Sequence, residues 1–99
     1  MKLDQLYAGD HCKVLKAAIP AGGKMPRHHA TSDAFVIVIK GTATLVFDDG
    51  ESTLKTGTTF LIPGREPHVL EVSEDFEAYI IIGPDAGIEM EKGTTGQNP

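Results

Sequence analysis

Residues 34–50 of the chain read AFVIVIKGTATLVFDDG, and this stretch indicates the fold class. In its second part Ala43, Leu45 and Phe47 share one face of an extended strand, while mostly polar residues occupy the other. The stretch closes on Asp49-Gly50, a pair that tolerates the positive φ angles of a type I′ hairpin turn. It therefore predicts two successive β-strands and a hairpin.

Short runs of apolar or alternating residues, separated by turn residues, also lie before and after this stretch. Between Lys13 and Ile82, no window of ten or more residues holds the 3.6-residue period of an amphipathic helix. The predicted strands are 13–19, 25–29, 34–40, 43–48, 52–55, 58–62, 68–73 and 77–82. About eight short strands must close, or fold into two facing sheets, to hide their edges. The sequence predicts an all-β chain with an N-terminal segment 1–12, a single β-barrel domain 13–92 and a disordered tail 93–99.

Composition excludes several classes of protein. The chain has 99 residues and a formal net charge of −5, with nine basic against fourteen acidic residues. The chain therefore lacks the excess of positive charge that is typical of a nucleic-acid-binding protein. A single cysteine, Cys12, supports neither an internal disulfide nor a thiolate zinc cluster. The longest apolar run, Ala34 to Ile39, is too short to span a bilayer, and no apolar leader precedes it, so we expect a cytoplasmic protein without membrane or nucleic-acid partners.

Two predicted strands are apolar on both faces. They are residues 34–39 and 79–82, although each sheet of a small barrel has an interior on one side only. The outer face needs a cover, and the candidates are the N-terminal segment, with Leu3, Leu6 and Tyr7, or a second copy of the chain. We favour the second copy, and the sequence therefore predicts a homodimer.

Glycine, proline and histidine residues recur at a spacing that resembles the two motifs of the cupin superfamily. The first motif is carried by Gly22, His28-His29 and Gly41, and the second by Gly57, Pro63 and His68. The resemblance covers Lys13 to Ile82. It implies a jelly-roll (double-stranded β-helix) barrel, usually dimeric, with a pocket at one end that holds a divalent metal on imidazoles and a carboxylate.

The first motif departs from the pattern of the cupins that bind metal. Those proteins typically carry His-x-His, then three or four residues, then Glu. Here Ala30 stands at the second histidine position and Ala34 at the glutamate position. The second glycine of the second motif falls on Arg65. Because first-row metals want about three or four protein ligands, the chain is one or two ligands short.

Three histidines are the candidate metal ligands: His28, His29 and His68. In a regular strand His28 and His29 point to opposite sides, so only one faces the pocket unless a bulge re-aims the other. His68 shares its strand face with Leu70 and Val72, which places its imidazole in the interior. The alternative for His28 and His29 is that one imidazole points inward and is hydrogen-bonded while the other is exposed. The alternative for His68 is a core histidine bonded to a backbone carbonyl.

Six further residues are predicted to line the pocket: Met25, Phe35, Ile37, Phe60, Arg65 and Tyr79. Arg65 precedes His68 in the same loop, where a guanidinium at the pocket mouth pairs well with a substrate carboxylate. Ordinary core packing explains the apolar members equally well, and a solvated loop residue is the alternative for Arg65.

Two functional hypotheses follow, and we prefer the first. It is a cupin-type protein that binds a small organic ligand in the barrel, with a weakly held divalent metal or none. The second is a metal-dependent enzyme of dioxygenase or isomerase type, in which His28, His29 and His68 hold Zn, Fe, Mn or Ni. The alanine at position 34 favours the first, and the three histidines favour the second. An interaction domain without a ligand is a third possibility.

Overall fold

The computed structural model describes residues 1–91, which form eight β-strands and no helix. The strands are β1 (Lys2–Ala8), β2 (Lys13–Ile19), β3 (Lys24–Ala30), β4 (Ala34–Phe47), β5 (Gly50–Lys55), β6 (Thr59–Ile62), β7 (His68–Ile82) and β8 (Ile88–Met90). All strand pairs are antiparallel. The predicted all-β fold class is confirmed.

Two long strands, β4 and β7, give the sheet its shape. They pair with each other almost throughout, and the other strands attach to one half or the other. Layer I consists of β1, β2, the second half of β7, the first half of β4, and β6. Layer II consists of β8, β3, the first half of β7, the second half of β4, and β5. Two facing layers that share their central strands form the predicted jelly-roll barrel.

The strands pass from one layer to the other at a bend around Gly41. The β4–β7 register shifts three times between Val38 and Ala43. Gly41 has a φ of 82°, and a Cβ there would collide with the backbone oxygen of Asp75 on β7. Only glycine combines this backbone angle with so close an approach.

The core lies between the layers. In β2, for example, Leu15, Ala17 and Ile19 are buried and alternate with half-buried residues, as expected for a strand with one interior face. The largest side chains that are completely enclosed are Leu45 and Val38, both on β4.

The structure corrects several expectations about the elements. The pairs of strands predicted at 34–48 and 68–82 are single strands that bend, and β1 and β8 were not predicted. Phe47 pairs with Gly50, so the hairpin turn lies on Asp48-Asp49, and neither residue has a positive φ. The predicted type I′ turn on Asp49-Gly50 is therefore wrong, because Gly50 belongs to β5.

The N-terminal segment 1–12 does not cover the outer face of the barrel. It contributes β1, which lies at the edge of layer I and pairs with β2. The predicted tail 93–99 lies outside the described residues. Within residues 1–91, no helix is long and apolar enough to cross a membrane. The cytoplasmic location stays a prediction.

Candidate functional site

Two histidines meet inside the barrel. His28 on β3 and His68 on β7 are direct partners in the antiparallel register. Only 6% of His28 and 4% of His68 is exposed, and their ring centroids lie 4.2 Å apart with the planes at 65°. The ring of Phe47 is the neighbour of His68 on its other flank, at 5.8 Å.

A break in β3 explains why His28 faces inward. The β3–β7 register shifts between Met25 and His28, so these residues, three apart, are both buried. His68 lies on the inner face with Leu70 and Val72, all of them buried. The prediction that His68 points with the apolar set into the interior is confirmed.

Each of these imidazoles is anchored by a backbone carbonyl two residues earlier. Nδ1 of His28 lies 2.7 Å from the oxygen of Pro26, and Nδ1 of His68 lies 2.9 Å from the oxygen of Glu66. A carbonyl only accepts, so we assign the ring proton to Nδ1 in both histidines. Nε2 of each ring is then a bare acceptor, and neither Nε2 has a hydrogen-bond partner among the described residues.

Burial keeps both imidazoles neutral. Loss of solvent lowers the pKa of His28 below 6.5, and the bond to Pro26 opposes this only in part. Burial lowers the pKa of His68 in the same way, against the opposing bond to Glu66. At neutral pH the pair therefore presents two uncharged acceptors.

The pair borders a cavity of about 60 Å³ between the two layers. Its walls are otherwise almost entirely apolar. Several lining residues are small, including Ala17, Ala30, Ala34 and Ala78. Lys2 also borders the cavity, but its side chain is largely exposed and its ammonium lies 3.8 Å from Asp4. The site is thus an apolar pocket with two imidazoles among its lining groups.

Two of these alanines, Ala30 and Ala34, occupy the positions at which the cupin motif places metal ligands. Both Ala30 and Ala34 are buried and line the cavity beside the imidazoles. Asp33, next to Ala34, is exposed and accepts a hydrogen bond from the backbone N–H of Gly64 at 2.8 Å. Methyl groups therefore occupy the positions from which a second imidazole and a carboxylate would reach the pocket.

His29 does not join the pair. Its Nε2 lies 3.2 Å from Glu89 and its Nδ1 lies 3.4 Å from Glu91, on the outer side of β3. Glu91 also pairs with Arg27 at 2.8 Å, and Arg27 reaches Asp48 of the β4–β5 turn. The strand alternation that turns His28 inward turns His29 outward.

The ligand set that the cupin resemblance implies is therefore incomplete. Within residues 1–91, no group of three or more His, Cys, Asp or Glu side chains is arranged to hold a metal ion. The residues present offer two imidazoles and no carboxylate, which is fewer than the ligands that first-row metals prefer. Metal binding by this chain stays a prediction.

Of the six residues predicted to line the pocket, Met25 borders the cavity. Phe35, Ile37 and Tyr79 face outward, because they alternate with the buried residues of β4 and β7. Phe60 is half-buried and stacks on Phe47 at 6.1 Å, away from the cavity wall.

Arg65 is exposed and does not line the cavity. Its φ of 64° is the only positive φ of a non-glycine residue within the described range. This position corresponds to the second glycine of the second motif, and glycine adopts such an angle without strain. Arg65 therefore adopts a backbone angle that is unfavourable for a residue with a side chain.

The cavity residues that sequence reasoning missed are mostly larger aliphatic residues, such as Ile19, Val36 and Leu45, together with four alanines. Alanine at a core position carries no chemical signal, yet its small side chain leaves the space that forms the pocket. For two of them the sequence did carry a signal. Ala30 and Ala34 occupy motif positions at which metal-binding cupins have ligands that face the pocket.

A family model described as "Cupin domain" matches residues 15–82. Two curated proteins of Methanocaldococcus jannaschii are similar in sequence. The uncharacterized protein MJ1618 is 30% identical over 67 residues, which cover 67% of this chain and 54% of that protein. The uncharacterized protein MJ0764 is 31% identical over 82 residues, which cover 81% of this chain and 71% of that protein. The chain thus spans about half the length of MJ1618.

Solved structures share the fold. A protein with a double-stranded β-helix domain from Klebsiella pneumoniae superposes with a TM-score of 0.79 at 20% identity, covering 92% of this chain and 84% of that one. The DMSP lyase DddQ from Ruegeria pomeroyi superposes with a TM-score of 0.83 at 18% identity, covering 97% of this chain and 53% of that one. At these identities the likeness concerns the fold.

Proposed function

Because the chain belongs to the cupin family, its barrel cavity is the natural place for a ligand, and we propose that it binds a small neutral organic molecule there. One observation carries this proposal: His28 and His68 line an apolar cavity, and their Nε2 atoms have no hydrogen-bond partner within residues 1–91. A buried acceptor without a donor costs free energy, which a ligand that donates a hydrogen bond recovers.

The chemistry of the pocket selects the type of ligand. Two neutral imidazoles that donate through Nδ1 to carbonyls offer only acceptors to a guest, so a hydroxyl or N–H group is the matching partner. A carboxylate finds no donor at the pair, and the apolar wall would desolvate its charge at a large cost. The ligand is therefore apolar with one or two donor groups.

The size of the cavity limits the ligand as well. One water molecule needs roughly 10–15 Å³ of such space, so a cavity of about 60 Å³ holds a guest of only a few heavy atoms without rearrangement. Short alcohols are suitable probes, because they combine a compact apolar body with one donor.

The test compares 1-butanol with butyrate on ¹⁵N-labelled protein. We expect 1-butanol to shift the Nε2 resonances of His28 and His68 in a saturable way, and butyrate to leave them unchanged at neutral pH. A His28→Leu/His68→Leu variant should bind 1-butanol at least several-fold more weakly. Equal response to both probes, or none to either, contradicts the proposal.

A metal-dependent enzyme of dioxygenase or isomerase type is the second candidate. It is favoured by the same two imidazoles, whose free Nε2 atoms belong to rings only 4.2 Å apart. Metal analysis of protein purified without an affinity tag separates the candidates. A near-stoichiometric Zn, Fe, Mn or Ni ion that is lost in His68→Ala supports the enzyme, and metal-free protein supports the organic ligand.

A further inference from the structure

The shortest strand within residues 1–91, β8, lies at the edge of layer II. It consists of Ile88–Met90 and pairs with β3 alone, with Ile88 opposite Ala30 and Met90 opposite His28. The other strands that pair on one side only, β1, β5 and β6, have four to seven residues. Because β8 has the fewest partners to lose, it is the strand that leaves the sheet most easily.

Strand β8 closes the cavity beside the two imidazoles. Ile88 lines the cavity and packs on the core, and so does its register partner Ala30. In the same ladder His28 lies between His68 of β7 and Met90 of β8. Departure of β8 from β3 would therefore remove one wall of the cavity and uncover one flank of His28, while the pair of histidines stays in place.

The turn that leads to β8 is attached to the barrel as far as Ala86. The N–H of Gly83 donates to Oγ of Ser32 at 2.9 Å, and Ala86 is buried in the core. Gly87 comes next, and it has neither a positive φ nor any atom of a non-neighbouring residue within 4 Å of where a Cβ would be. The closed barrel does not require glycine there, whereas a hinge between a fixed turn and a moving strand uses its backbone freedom.

Polar contacts on the outer side of β3 hold β8 in place. Nε of Arg27 donates to Glu91 at 2.8 Å, and His29 lies 3.2 Å from Glu89 and 3.4 Å from Glu91. We call Arg27, His29, Glu89 and Glu91 the clasp. The Arg27 guanidinium also donates to Asp48 at 2.6 and 3.1 Å, which keeps it in position when Glu91 leaves. Exposed ion pairs of this kind are weak, which suits contacts that break and form again.

The other edge strand on the cavity, β1, is less suited to open. It borders the cavity through Lys2 and Leu3, but six of its residues have register partners on β2. Lys2 lies in line with Ala18 and Glu77, so this part of the cavity is at the end of the barrel next to the bend. Strand β8 is the edge that adjoins the imidazoles.

We propose that β8 is the lid of the barrel cavity: it leaves β3 by turning about Gly87, and the clasp closes it again over a guest. The proposal deepens the proposed function and rests on its cavity, but not on the hydrogen-bonding chemistry of its ligand. A weaker clasp favours opening equally with and without a guest. It should therefore raise the rate constants of entry and release together and leave the affinity nearly unchanged.

The test uses xenon as the guest and glutamine substitutions in the clasp. Xenon binds in empty apolar cavities without a hydrogen bond, so it reports entry even where 1-butanol does not bind. Glu89→Gln/Glu91→Gln removes two charges from the clasp, and Glu51→Gln/Glu71→Gln removes two charges from exposed positions elsewhere in layer II. By ¹²⁹Xe NMR we expect both exchange rate constants to rise at least three-fold in the clasp variant at unchanged affinity, and to equal those of the parent in the control.

Hydrogen exchange measures the opening without any guest. The amide of Thr31 donates to the Gly87 carbonyl at 3.0 Å, and the amide of Glu91 donates to the Arg27 carbonyl at 2.9 Å. The protection of both amides should fall at least three-fold in the clasp variant, whereas amides of β4 should be protected as in the parent. Gly87→Ala fits the closed barrel but restricts the freed chain, so it should slow the exchange of these amides and of xenon by roughly two- to five-fold.

The outcomes separate the lid from the ligand. Lower protection of β8 without faster xenon exchange would place the entrance elsewhere and overturn the proposal. Equal acceleration by the control pair, unchanged rates in both clasp and hinge variants, or no binding of xenon would also overturn it. If xenon behaves as expected and 1-butanol does not bind, the lid is supported and the proposed function is contradicted.

Discussion

His28 and His68 face each other across β3 and β7, and both rings are held by the carbonyl two residues before them in the chain. Each anchoring carbonyl belongs to a short segment that contains proline: Pro26-Arg27 before His28, and Glu66-Pro67 before His68. The sequence around each histidine thus fixes the direction of its ring. As a result the pair presents the same atom, Nε2, without a protein partner within residues 1–91.

Acid should destabilise the protein through this pair. Burial lowers both imidazole pKa values below the ordinary 6.5, so the unfolded chain binds more protons than the folded one as the pH falls. The contribution to stability is complete above about pH 6.5 and is lost as the pH falls from there toward the folded-state pKa values. Urea titrations between pH 7.5 and 5 measure it.

Two variants test whether the buried pair of histidines causes this loss of stability at acid pH. His28→Leu/His68→Leu should show a smaller loss of unfolding free energy over the same pH range, and His11→Gln, which changes an exposed histidine, should behave like the parent. The carboxyl groups of Asp48 and Glu91 have lowered pKa values and contribute at more acidic pH. An unchanged slope in the double variant would contradict the prediction.

Two substitutions should convert the pocket into a metal site. Ala30 and Ala34 line the cavity beside the imidazoles, so Ala30→His/Ala34→Glu adds an imidazole and a carboxylate to the two existing rings. Four ligands suit first-row divalent metals. We expect the variant to bind Mn²⁺ or Zn²⁺ at least 100-fold more tightly than the parent in calorimetric titrations.

The matched control moves the carboxylate to the outside of β4. Ala30→His/Phe35→Glu carries the same added groups, but residue 35 faces away from the cavity. It should gain far less affinity than Ala30→His/Ala34→Glu. The buried charge will destabilise the metal-free protein, and added metal should restore its thermal stability. Equal affinity in both variants would show that Ala34 does not point at the imidazoles.

The bend between the layers should tolerate no side chain. Gly41→Ala adds a methyl group against the backbone of Asp75 at a positive φ, and we expect it to cost roughly 3 kcal/mol or more. Gly57→Ala is the matched control, because Gly57 has a similar φ of 85° but open space around it. It should cost about 1 kcal/mol, the usual cost of the backbone angle alone. Chemical denaturation compares the two, and equal losses would mean that the collision is relieved.

The alternation of inward and outward residues along a strand predicted the direction of a side chain wherever the apolar pattern was unambiguous. The run from His68 to Val72 has apolar residues at every second position, so the direction of His68 could be read directly. The opposite facing of His28 and His29 followed from the same rule. Which of them faces inward could not be predicted, because it depends on the register break after Met25.

Alternation failed where both faces of a strand are apolar. Phe35 and Ile37 look like core residues by composition, and the structure places them outside, with Ala34 and Val36 inside. Nothing in the pattern AFVIV distinguishes the two faces, because the outer one is as apolar as the inner one. Strand β1 was missed for a related reason: every residue in it is exposed, so it lacks the one-sided burial that marks a strand.

Because β4 and β7 run through both layers, they also determine how the barrel unfolds. The two layers should melt together, because β4 and β7 are continuous through both layers and the layers enclose one common core. Denaturation should therefore be all-or-none, without a half-unfolded intermediate. The same sharing means that a single backbone cut at residues 40–42 would separate the halves of one central strand and weaken both layers together.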